Sequence, residues 1–255
     1  MTFRFPVKQG QLAVVKETVS KKSPTIIFLH DSLGCIKTWR DFPEQLAKKA
    51  DCNYLIYDRL GHGESSLDSN VLKRKNDYME IEAEILNSMI EQLKISKPIL
   101  FGHSDGASIA LIAASKSDTI LGVITEAPHI FVEKITLRGI QKVKENYLKG
   151  KLREKLIPYH GSKTDDVFHA WANTWLNEDF QNWSIESDLS QISCPCLIIQ
   201  GENDEFGSLR QVEGIEEGVQ GETLKEIIKN IGHTPHKEDR DLTLKVSTNF
   251  ISNLT

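Results

Sequence analysis

The stretch 97–114 constrains the fold more than any other. Ile99, Leu100 and Phe101 form a short apolar run that predicts a buried strand. Gly102-His103-Ser104-Asp105-Gly106 follows as a turn, and the apolar run over 107–114 predicts a helix directly behind it. A G-x-S-x-G between a strand and a helix is the pattern of a nucleophile elbow. The tight turn drives the serine into strained backbone geometry and lifts its hydroxyl above the sheet, while small flanking residues let strand and helix approach. In a chain with 16 glycines the pentapeptide alone says little, so its flanks carry the inference.

Around this stretch, apolar runs alternate with helical patterns. Runs at 25–30, 53–58, 121–125, 196–200 and 223–228 read as strands, the most continuous of them covered on both faces. Helical patterns fall at 38–50, 77–93, 208–218 and 238–251; in the second, apolar side chains recur at Tyr78, Ile81, Ile85, Met89 and Leu93 behind Asp77 as N-cap. Residues 2–19 alternate apolar and polar around Gly10-Gln11, which predicts an antiparallel hairpin at a sheet edge. This order implies an α/β fold with a mostly parallel sheet and helices on both faces.

Between 128 and 190 the alternation stops. Helices are expected at 134–149, 151–157 and 164–177, then a turn over 179–183. The expected organisation is a core built from 1–127 and 191–255 with a helical cap, 128–190, inserted after the sixth strand. Phe168, Trp171 and Trp175 share one helical face of the insertion. Such a stripe packs the insertion onto the body, and its inner side is suited to line a pocket.

Composition narrows the partners. The 39% hydrophobic and 26% charged fractions are those of an ordinary globular protein, and a net charge of -5 argues against nucleic acid or an anionic membrane as the main partner. A small molecule is expected instead. No apolar run is long enough to span a bilayer, and the first residues lack a signal-peptide core, so a cytoplasmic location is expected. Cys35, Cys52, Cys194 and Cys196 fit neither a disulfide framework nor a zinc pattern and read as buried small residues; no metal is expected.

In open α/β sheets, groups that act on ligands sit on loops at the carboxyl ends of strands. Ser104, Asp204 and His233 all fall at such ends, in the order nucleophile, acid, base. A serine hydroxyl needs a base to take its proton, an imidazole suits that work, and a buried carboxylate fixes the imidazole's tautomer. Glu126 is an alternative acid and His236 an alternative base.

The motifs Phe28-Leu29-His30-Asp31-Ser32-Leu33-Gly34, Asp58-Arg59-Leu60-Gly61-His62-Gly63-Glu64-Ser65, the pentapeptide at 102–106, Gly201-Glu202-Asn203-Asp204 and the run 232–238 together resemble the α/β-hydrolase family over nearly the whole chain. The likeness is to the serine branch with a helical cap, which includes esterases, lactonases, aminopeptidases and carbon–carbon bond hydrolases. It implies hydrolysis of a small carboxylic ester through an acyl-enzyme, with no cofactor, and a Ser104–His233–Asp204 triad. It also implies an oxyanion hole from the backbone N–H groups of Ser32 and Asp105. The other reactions of that branch, and a non-catalytic ligand receptor on the same scaffold, are the alternatives. The chain departs from the family pattern at Asp31, where many relatives have glycine, and at Ala107, where a second glycine is frequent.

The pocket is expected to be lined by His30, Asp31, His103 and Glu126 from strand ends and by Phe168, Trp171 and Trp175 from the cap. Asp31, Asp105 and Glu126 would bring three carboxylates to its mouth. A carboxylate beside a developing oxyanion slows attack unless a cation screens it. Either the substrate carries a cationic group, as an amino-acid ester does, or these carboxylates serve structural hydrogen bonds.

Overall fold

A computed structural model describes residues 1–66 and 74–254. Eight strands form one sheet: β1 (Thr2–Val7), β2 (Gly10–Glu17), β3 (Thr25–Leu29), β4 (Asn53–Tyr57), β5 (Pro98–His103), β6 (Gly122–Glu126), β7 (Cys196–Gly201) and β8 (Thr223–Ile228). Their spatial order is β1-β2-β4-β3-β5-β6-β7-β8. The β1–β2 hairpin joins β4 antiparallel, and β3 to β8 pair with one another only in parallel. The hairpin turn lies at Lys8-Gln9, and Gly10 already opens β2, two residues earlier than the composition suggests.

The helices are α1 (Phe42–Lys49), α2 (Tyr78–Gln92), α3 (Asp105–Ser115), α4 (Lys134–Leu148), α5 (Lys151–His160), α6 (Thr164–Trp175), α7 (Glu186–Leu189), α8 (Arg210–Gly218), α9 (Pro235–Glu238) and α10 (Arg240–Leu254). The helix expected over 38–50 divides into a 3-10 turn, Ile36–Trp39, and α1, while the last expected helix divides at Asp239 into α9 and α10. Asp77 stands before α2, yet its side chain makes no capping hydrogen bond.

Side chains on a strand alternate between faces, so a continuous apolar run feeds two cores. Ile27, Leu29, Leu100 and Val123 pack with Leu86 and Met89 of α2 and Ile109 of α3 on one side of the sheet. Ile26, Phe28, Phe101 and Ile124 pack with Phe42 and Leu46 of α1 and Phe250 of α10 on the other. Parity of position along each strand decides which core receives the residue.

The elbow is the tightest junction. Ser104 sits at φ 55°, ψ −121°, a conformation that is costly for any residue but glycine. A Cβ on Gly102 would lie 2.2 Å from the Gly106 carbonyl oxygen, and one on Gly106 would lie 2.2 Å from that of Leu29. Strand and helix therefore approach to a distance that only hydrogen atoms at these positions allow.

Helices α4 to α7 occupy the interval between β6 and β7. His160, at the end of α5, ties them to the core: its Nε2 donates to the Leu33 carbonyl at 2.9 Å, and its Nδ1 accepts from Gly63 N–H at 3.1 Å. Gly106→Ala is expected to destabilise the fold by about 3 kcal/mol or to prevent soluble expression, because the new methyl meets backbone rather than a mobile side chain. Urea denaturation followed by circular dichroism measures the loss.

Candidate active site

Three strand ends bring the candidate catalytic groups together. Ser104 follows β5, Asp204 follows β7 and His233 follows β8. The Ser104 Oγ lies 2.9 Å from His233 Nε2. The other ring nitrogen, Nδ1, lies 2.9 Å from each Asp204 carboxylate oxygen. Asp204 is held in turn by the Gln200 amide at 2.7 Å and by the Phe206 N–H at 2.8 Å. Burial pushes its carboxyl pKa up, but His233 and the Phe206 N–H outweigh that, and the group lies below its ordinary value. The arrangement orients one imidazole between an acid and a hydroxyl.

The amide N–H groups of Ser32 and Asp105, the latter next in sequence to Ser104, have no acceptor among the described residues. Ser32 follows β3, whose loop is fixed from below. His30 Nδ1 donates to the Asp31 carbonyl at 2.8 Å, and His30 Nε2 accepts from Arg59 N–H at 3.0 Å. Burial first, then Arg59, lowers the His30 pKa well below its ordinary value, in keeping with a neutral ring that donates once and accepts once. The Arg59 guanidinium also donates to the Asp31 carbonyl at 2.8 Å.

The carboxylates expected at the pocket mouth already have partners within the protein. Both Glu126 oxygens accept from His236, through its backbone N–H and through Nδ1. Glu126 is fully buried, so it supports the site from beneath rather than lining the pocket. Asp105 accepts from the Tyr78 hydroxyl at 2.9 Å and stands 3.8 Å from Arg59. Asp31 faces His103, with Oδ2 3.4 Å from Nδ1. Ligating atoms of His103, Glu126 and His236 lie within 4.8 Å of one another, the spacing of a metal site. Within the protein, Glu126 and His236 bond to each other, while His103 bonds to the His233 carbonyl.

The aromatic stripe of α6 divides. Phe168 stacks on Tyr147 of α4, ring centroids 3.6 Å apart, and Trp171 packs edge-on against Phe168. Both belong to the interior of the inserted helices, so Phe168 in particular does not line a pocket. Trp175 alone reaches the elbow region, donating from Nε1 to the Tyr78 hydroxyl at 3.1 Å.

Three neighbours of the site had no signal of their own in the sequence. Tyr78 reads there only as an apolar position of α2. Phe206, in the loop after β7, packs its ring 4.7 Å from that of His233. His129, just after β6, lies between His233 and Trp175, with ring centroids 5.8 and 5.2 Å away. Burial, reinforced by His233, lowers the His129 pKa to about 4, which makes it a neutral wall of the site.

Tyr78→Phe leaves the Trp175 N–H without its acceptor and Asp105 without its donor. The expected cost is about 2 kcal/mol, from groups left unpaired in a buried place; chemical denaturation of the variant beside wild type measures it.

Comparison with known proteins bears on the fold that carries these groups. A family model described as the alpha/beta hydrolase fold matches residues 24–184. The 2-hydroxy-6-oxononadienedioate/2-hydroxy-6-oxononatrienedioate hydrolase of Escherichia coli (strain K12) is 25% identical over 256 aligned positions, covering 89% of this chain and 87% of that one. Among solved structures, a carboxylesterase of Nitrososphaera gargenis superposes with a TM-score of 0.79 at 16% identity, covering 98% of each chain. An α/β-hydrolase enzyme from a Medee basin deep-sea metagenome library gives 0.78 at 20% identity, covering 97% of this chain and 96% of the other. With more than half its length matched by the family model, the chain belongs to the α/β-hydrolase fold family.

Proposed function

We propose that the protein is a serine hydrolase that cleaves a small carboxylic ester through an acyl-enzyme. The observation that carries this reading is His233 bridging Ser104 and Asp204 at 2.9 Å on either side. His233 Nε2 takes the Ser104 proton as Oγ attacks the carbonyl carbon. The tetrahedral oxyanion is received by the backbone N–H groups of Ser32 and Asp105. His233 then gives its proton to the leaving oxygen, and a water attacks the acyl-enzyme by the same route in reverse. Asp204 holds the Nδ1–H tautomer throughout.

Residues 128–190 act as the cap over this site, with Trp175 and His129 as its inner wall. The internal pairing of Asp31, Asp105 and Glu126 favours the structural role of these carboxylates over recognition of a cationic substrate. A second reading, hydrolysis of a carbon–carbon bond beside a ketone, is favoured by one observation, the 25% identity to the Escherichia coli 2-hydroxy-6-oxononadienedioate hydrolase. The same nucleophile and base serve either bond, so substrate rather than triad separates the two.

A fluorophosphonate probe with intact-mass detection and peptide mapping tests the reading. Wild type is expected to take up one equivalent at Ser104; Ser104→Ala and His233→Ala are expected to take up none while remaining folded. Absence of labelling in well-folded wild type would overturn it in favour of a receptor. p-Nitrophenyl esters assayed beside a 2-hydroxy-6-oxo-dienoate then separate ester from carbon–carbon hydrolysis.

Asp204 and Glu126 are expected to separate by phenotype. Asp204→Asn lowers turnover by about 10⁴-fold with little change in stability, as expected when a triad histidine loses its tautomer. Glu126→Gln costs about 3 kcal/mol by placing an amide against buried His236 donors, yet leaves labelling of the folded fraction intact. Labelling rates and urea midpoints of the two variants check the pair.

A further inference from the structure

Asp31 stands next to Ser32, whose N–H is assigned above to the oxyanion hole, and this inference rests on that assignment. A carboxylate there opposes charge developing on the substrate oxygen. The substrate need not supply the compensating cation, because the protein holds one. His103 is buried, with its side chain 3% exposed, and both its ring nitrogens face acceptors. Nε2 lies 2.8 Å from the His233 carbonyl oxygen, which can only accept, so Nε2 carries a proton. Nδ1 lies 3.4 Å from Asp31 Oδ2, also an acceptor. A neutral His103 would turn its Nδ1 lone pair toward a carboxylate; the doubly protonated ring donates to the carbonyl and sets a positive N–H beside Asp31.

We propose that His103 is held as an imidazolium between Asp31 and the His233 carbonyl, where it is the internal counter-ion that lets an aspartate stand beside the oxyanion hole. It is a positioning residue, since it ties the main chain of the catalytic base to the oxyanion loop without touching substrate.

Its other neighbours fit this role. Glu126 lies within the same cluster and adds negative charge; His236, ring centroid 5.1 Å away, is occupied by Glu126; the His233 ring lies at 5.3 Å. Lys237 adds positive charge toward Asp31. Burial opposes a charge on His103, but Asp31, Glu126 and the His233 carbonyl outweigh it, and its pKa is raised above the ordinary value. Asp31 is correspondingly lowered, burial being outweighed by His103 above all. A group with a raised folded pKa makes its contribution below the unfolded value and loses it as pH rises through the folded one. The arrangement therefore weakens as pH rises through the raised pKa of His103.

Two readouts test this. Imidazole 15N spectra of wild type are expected to show His103 protonated on both nitrogens at pH 7, and on one nitrogen in Asp31→Asn. In parallel, the rate of fluorophosphonate labelling at Ser104 is followed against pH. Wild type is expected to slow on the alkaline side, and Asp31→Asn to lose that limb, because its amide donates to a neutral Nδ1. His103→Gln, which removes the ring's charge and leaves Asp31 only the Leu33 N–H at 2.8 Å and the more general field of Lys237, is expected to slow labelling at pH 7 by about tenfold or more. The Asp31→Asn, His103→Gln double variant should recover most of that loss, a coupling that a purely structural role for either residue would not produce. A singly protonated His103 in wild type at pH 7, or a double variant no faster than His103→Gln, overturns the inference. If wild type fails to label while His103 carries both protons, the ion pair stands and the serine-hydrolase reading falls.

Discussion

The contact between the elbow and its neighbours is the constraint on which the rest depends. Gly102 and Gly106 admit no side chain, and that absence sets the spacing of β5, β3 and α3 at the point where Ser104 turns out of the sheet. The positive φ of Ser104 is sustained because both sides are fixed: its N–H donates to the Glu126 carbonyl at 2.9 Å, and its carbonyl accepts from Ala107 at 2.8 Å. Local strain of this kind persists only where surrounding structure over-determines it. The two cores supply that rigidity, and the loops after β3, β6, β7 and β8 all gain their positions relative to Ser104 from it.

Around the elbow, charge is managed by pairing instead of by exposure. Glu126 with His236, Asp204 with His233, Asp31 with His103 and Asp105 with Tyr78 each place a buried or half-buried carboxylate against a donor from another element. Carboxylates buried without such donors would be expected to take up a proton. Each pair also fastens two separate segments of the fold, so removing one partner disturbs position as well as charge. The pairing explains how a site with four acidic side chains need not attract a cationic ligand.

Much of this was legible in the sequence, for identifiable reasons. Strands β3 to β7 announce themselves as apolar runs because both faces are covered, and the elbow because its chemistry demands small residues at fixed spacing. Ser104, Asp204 and His233 could be read from their places at strand ends, since topology alone brings those ends together. Partnerships across long separations left no such trace. Glu126 and His236 are 110 residues apart, and nothing local marks either as the other's partner. The α6 stripe misled for a geometric reason. Phe168 and Trp175 share a face but sit about 10 Å apart along the axis, so one end of the stripe is enclosed by Tyr147 while the other reaches Tyr78.

That separation bears on how the inserted helices relate to the site. Trp175 donates to Tyr78, and Tyr78 donates onward to Asp105, so the hydroxyl both accepts from the insertion and donates to the elbow. The two bonds differ in strength, since the second ends on a carboxylate and the first joins neutral groups. Displacement of α6 would therefore break the Trp175 link first and leave Tyr78 on Asp105. The aromatic contacts around Trp175, to Phe180 at 5.1 Å and Trp183 at 6.0 Å, lie within the insertion and would travel with it. The Trp175 N–H is not alone at this seam between insertion and core: the Trp183 Nε1 donates to Glu80 of α2 at 3.3 Å, and the Phe180 ring packs 6.0 Å from that of Tyr78.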